Sequence, residues 1–135
     1  MTAIPAGSRS LEEIEGKRWG SPGPDATPLA AEALRLRTVP VASLTAEDLR
    51  LLIGQQVGLS VLVPLAVQQL QRDPLAEGDY YPGDLLASLL RLPGSFWAAN
   101  PALAGRVRLL VAGLGDVPDE IVAPVRQFLQ AEAPA

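Results

Sequence analysis

The chain has 135 residues, eleven basic and fifteen acidic residues, a formal net charge of −4, and neither cysteine nor histidine. Without cysteine there are no disulfides and no thiolate metal sites, and without histidine the commonest general base and commonest metal ligand are gone. Serine–histidine and cysteine–histidine nucleophilic schemes are thereby excluded, as are zinc and haem sites of the usual kind.

In chain order, residues 1–9 are small and polar and read as a disordered N-terminus. Ser10 to Glu15 reads as a one-turn helix. Ser10 is its cap, Glu13 the capping-box partner and Gly16 the stop, with Leu11 and Ile14 facing inward. Trp19-Gly20 and a proline-rich stretch from Ser21 to Pro28 form a loop, which Trp19 is expected to pin to the core. Leu29 to Arg37 is a short helix with Pro28 at its first position and Leu29, Ala33, Leu34 and Leu36 on its apolar side.

Thr45 with Asp48 is a second box-like start. Leu44 is placed to fold onto Leu49, and Glu47 and Asp48 sit where the helix dipole favours negative charge. Leu49, Leu52 and Ile53 share a face, and Gly54 or Gly58 ends the helix. The next helix runs from about Ser60 to Arg72, with Pro64 tolerable only near its start, and Asp73-Pro74 stops it. Leu75 to Gly83 is turn-rich, and Asp84 is expected to cap a helix through Leu90. Ser95-Phe96-Trp97 begins a short turn or helix. Asn100-Pro101 opens a helix to about Ala112. A last helix follows Val117-Pro118, with Ile121, Val122, Val125, Phe128 and Leu129 on its apolar side, and frays from Glu132.

No alternating pattern of useful length indicates strands. The expected fold is all-α: one compact domain over residues 10–131, of about five to seven short helices around one core. No apolar run reaches the roughly eighteen residues of a membrane span, and no charged start precedes an apolar block as in a signal peptide. A cytoplasmic protein without membrane association is therefore expected. Its basic residues are scattered, with no run longer than Lys17-Arg18, which argues against nucleic acid as a ligand.

The sharpest local feature is Glu77, Asp79, Tyr80, Tyr81 and Asp84, three carboxylates and two tyrosines on one interhelical stretch, with Glu47 and Asp48 as possible neighbours. Tyrosines offer rigid contact area and carboxylates charge complementarity, so the cluster suits a protein partner. Oxygen ligands would also suit calcium or magnesium, although the spacing differs from the EF-hand loop. A purely structural reading has Asp84 capping the next helix and a tyrosine packing inward, its hydroxyl bonded to a carboxylate. Paired carboxylates alone give little support to acid–base catalysis, because aromatics that would line a sugar groove are only 4% of the chain. The expectation is a non-enzyme with no cofactor, no metal and no catalytic residue.

Several segments carry a resemblance: SLEEIEG at Ser10 to Gly16 with Trp19-Gly20, the helix segment Leu44 to Gln55, Gly58 to Ala66, PLAEGDYYPGDLL at Pro74 to Leu86, and Trp97. Over roughly Ser10 to Trp97 the chain resembles immunity proteins of contact-dependent growth inhibition systems. The resemblance implies a small cytoplasmic protein that binds the C-terminal toxic domain of a delivered effector. Such toxins are commonly nucleases, blocked by stoichiometric occlusion and not by chemistry. On that basis Glu77, Asp79, Tyr80, Tyr81, Asp84, Glu47 and Asp48 are the expected toxin contacts. A helical adaptor without a toxin partner is the alternative.

Overall fold

Capping residues and prolines cut this chain into short helices, and one helix buried along its whole length draws the others around it. The computed structural model describes residues 8–20 and 23–132. Among them lie α1 (Leu11–Glu15), α2 (Pro28–Leu36), α3 (Ala46–Gly54), α4 (Leu59–Arg72), α5 (Asp84–Leu90), α6 (Gly94–Ala99), α7 (Pro101–Ala112) and α8 (Asp119–Glu132), and no strand. The fold is all-α, with eight helices where five to seven were expected; α1 and α6 are the shortest, at five and six residues. Residues 1–7 of the expected disordered N-terminus, 21–22 of the proline-rich loop and 133–135 of the expected fraying end lie outside the described residues.

The N-terminal boxes form as their spacing dictates. Ser10 Oγ accepts the Glu13 N–H, and the Glu13 carboxylate accepts the Ser10 N–H. Thr45 and Asp48 do the same for α3. Each box satisfies two donors that a helix start would otherwise leave unpaired.

At the other end of α3 the chain turns on Gln56, whose φ is +57°. Its N–H donates to Ile53 O and that of Val57 to Leu52 O, both at 2.9 Å, which is the Schellman arrangement. The sequence reading gave Gly54 or Gly58 this stopping role. Gly58 instead precedes α4, with a φ of +62°. A Cβ there would lie 2.8 Å from both terminal methyls of Leu11, so only glycine lets α1 close over the turn.

Every residue of α5 is buried. Its two polar residues, Asp84 and Ser88, are hydrogen-bonded within the protein, as burial requires, and α5 packs among α3, α4 and α8. Leu85, Leu86 and Leu89 meet Leu52 and Ile53 of α3, Leu62 and Ala66 of α4, and Ile121 of α8 in one apolar cluster. Full burial of each such side chain contributes about 1.5–3 kcal/mol. Trp97 is buried as a core anchor, edge-on to Phe96 and to Phe128 of α8 at centroid distances of 5.0 and 5.5 Å.

Other inward expectations are corrected. Trp19 is 51% exposed and lies against the guanidinium of Arg37, 4.0 Å from the ring centroid. The buried residue is Arg37, which donates to Lys17 O at 2.9 Å and pairs with Glu15 at 3.2 Å. Trp19 therefore reaches the core through a cation and not by its own burial. Ile14, Leu29 and Leu129 also lie exposed; α1, α2 and α8 present only a narrow stripe to the core.

Candidate functional site

The segment between α4 and α5 has no regular structure, so its backbone donors need partners from elsewhere. Asp84, the first residue of α5, supplies two of them. One carboxylate oxygen accepts the Gly78 N–H at 2.6 Å and the other the Tyr80 N–H at 3.1 Å. The carboxylate is buried at 3% exposure. The expected cap is corrected accordingly: Gly83 occupies the position before α5, and Asp84 holds the loop behind it. Both Asp84 oxygens are thus engaged inside the protein.

Glu47 supplies the second anchor from the first turn of α3. Its carboxylate accepts the Asp79 N–H at 2.9 Å, across thirty-two residues of sequence, and takes a two-pronged bond from Arg50 at 2.6 and 2.5 Å. The paired cation holds the Glu47 carboxyl below its ordinary value of 4.5, opposed by partial desolvation, and the Asp79 N–H adds to the lowering. Gly78 fits between the two anchors because it has no side chain. A Cβ there would stand 2.5 Å from a Glu47 oxygen and 3.0 Å from an Asp84 oxygen.

With its backbone fixed from two sides, the loop presents a defined face. Tyr80 is 68% exposed, and the Arg50 guanidinium lies over its ring at 4.5 Å. Glu77 and Asp79 are exposed, and a backbone bridge pairs Glu77 with Pro82. Tyr81 is partly buried against the core. The hydroxyl-to-carboxylate bond of the structural reading does not form among the described residues; the carboxylates take backbone N–H groups instead. Asp48 stands apart. It closes the α3 cap, and it adds a little to the raised pKa of Arg35 of α2, which comes chiefly from the hydrogen bond to Glu32.

The structure therefore joins Glu47, Glu77, Asp79, Tyr80, Tyr81 and Asp84, and leaves Asp48 on a neighbouring face. Sequence reasoning missed Arg50. Its spacing of three from Glu47 was the available signal, since residues three apart on a helix are neighbours. Beside the loop, between α3 and α5, opens a cleft of about 380 Å³ with Arg50, Gln56, Tyr80, Ser88 and Arg91 among its walls.

Among the described residues no three of His, Cys, Asp and Glu gather so as to hold a metal, and no helix is long and apolar enough to cross a membrane. A family model described as CDI immunity proteins matches residues 13–107, which include the whole anchored loop and both of its anchors. No curated protein matches the chain.

Proposed function

The chain belongs to the family of CDI immunity proteins, and from that premise we propose that it neutralises the C-terminal toxic domain of a contact-dependent growth inhibition effector by binding it one to one. The immunity role follows from the family; the mode is our reading. Occlusion needs a rigid, chemically distinct face and no catalytic group. The loop from Glu77 to Asp84 offers Tyr80 as an exposed aromatic anchor with Glu77 and Asp79 as flanking charge. Asp84 and Glu47 act from beneath, so little loop ordering is left to be lost on binding.

The partner that fits is basic, as the nucleic-acid-binding surface of a nuclease is. A carboxylate-bearing face on a chain of net charge −4 steers such a partner in and speeds encounter. The cytoplasm, where such a nuclease would act, is the compartment this reading requires. The observation that carries the proposal is the family match spanning the loop and both anchors.

Co-expression of the chain with the toxic domain encoded beside it tests the reading. Survival of the cells and co-purification of a one-to-one complex are the expected results. Cell death with no complex, from folded protein, would contradict it and favour a helical adaptor with another partner.

A further inference from the structure

Arg50 stands between the loop's anchors and its exposed face. It lies three residues after Glu47 in α3. Its Nε and one terminal nitrogen donate to the two Glu47 oxygens at 2.6 and 2.5 Å. A two-pronged bond fixes the plane of a guanidinium, where a single bond would let it swivel. The Arg50 side chain is 22% exposed, so solvent screens this pair less than it screens a pair on the open surface. The guanidinium carbon lies over the Tyr80 ring, 4.5 Å from its centroid, within the range of cation–π attraction.

The backbone around Tyr80 is held separately. Its own N–H donates to Asp84, and that of Asp79 to the Glu47 oxygen that also accepts Arg50 Nε. Such bonds fix where the side chain leaves the backbone but not which rotamer it adopts. Tyr80 is 68% exposed, so core packing does not choose that rotamer either. Among the described residues, Arg50 is the one side chain in ring contact or hydrogen bonding with the Tyr80 phenol. An aromatic anchor that must settle into one rotamer loses freedom as it docks, and one already held does not.

Resting on the immunity reading, we propose that Arg50 is a positioning residue for the toxin contact: it holds the Tyr80 ring in the orientation in which the toxin domain receives it. Arg50 acts through Tyr80 and does not itself touch the toxin. Its charge is paired with Glu47 and its guanidinium lies against the ring, which leaves the rest of the phenol to the partner. Lysine would not serve in its place. An ammonium keeps the charge but has neither the fork that sets the plane nor a flat face for the ring.

A double-mutant cycle tests the proposal: affinity for the toxic domain encoded beside this chain, measured with Arg50→Lys, Tyr80→Ala and the two combined. Arg50→Lys should weaken binding about three- to tenfold in the otherwise wild-type chain, as release of one held rotamer does. Once Tyr80 is alanine, the same substitution should change affinity by less than about twofold. A role in the scaffold alone, or a direct contact of Arg50 with the toxin, would give the same loss in both backgrounds. A second measurement needs neither toxin nor a change at Arg50. By NMR of the free protein, the Arg50 side-chain protons should show a ring-current shift that Tyr80→Ala, at an exposed position, removes. Equal losses in the two backgrounds, or Arg50 signals indifferent to Tyr80, overturn the proposal while the immunity reading stands. If wild type forms no complex, both fall.

Discussion

Asp84 and Glu47 decide whether the loop has a shape. Asp84→Ala leaves the Gly78 and Tyr80 N–H groups without their acceptor. Charge-assisted bonds and unmet donors together make a loss of about 2–4 kcal/mol the expected result of chemical denaturation. Glu47 makes a pH prediction. Its carboxyl titrates below its ordinary 4.5 in the folded chain, chiefly because of Arg50. Stability from this group is fully present above 4.5 and is lost as pH falls through the lower folded value. Glu47→Gln should therefore flatten the acid limb of the stability–pH curve, and an unchanged limb would show that the anchor is weak. By contrast, the Glu32–Arg35 pair of α2 is exposed on both sides, and its removal should be near neutral. The sequence marked the loop residues as a group but not their division of labour. Asp84 was legible as a helix-start acid; that it points backward into the loop was not, because which way a carboxylate turns depends on which donors the chain brings past it.

The starts of α1 and α3 were the most legible features, since each is set by residues within one turn. The boxes at Ser10 and Thr45 formed at the positions their spacing marks. Ends were less legible: α3 stops on Gln56, where local rules favour glycine. Orientation was least legible. Arg37 is buried and Trp19 half-exposed, the reverse of what hydrophobicity assigns, because Arg37 satisfies the backbone of Lys17 and stacks on the indole. Arg37→Ala should cost about 3 kcal/mol, by leaving the Lys17 carbonyl and Glu15 unpaired and freeing α1 from α2. Arg37→Lys should rescue only part of this, because an ammonium lacks the planar fork. In α5, Leu86→Ala should cost about 2–5 kcal/mol, and its effect should reach the loop, since Asp84 is anchored on the same helix.

At the scale of the molecule, a buried α5 holds Asp84 still, α3 brings Glu47 and Arg50 alongside, and the resulting loop faces outward with its acids and Tyr80. No sequence spacing announces the bond from Glu47 to Asp79 across thirty-two residues; only packing of α3 on α5 makes it. Net charge, in contrast, is read straight from composition, and the acidic face of a −4 chain predicts that association with the toxin slows as salt rises. The central claim is that this loop is the contact face and not merely scaffold. The most direct measurement is toxin affinity and melting temperature of Asp79→Lys combined with Tyr80→Ala. Both side chains are exposed, so the account predicts binding weakened by about a hundredfold or more with the melting temperature little changed. Binding retained at the wild-type level while stability falls would contradict it and make the loop a support for a face elsewhere.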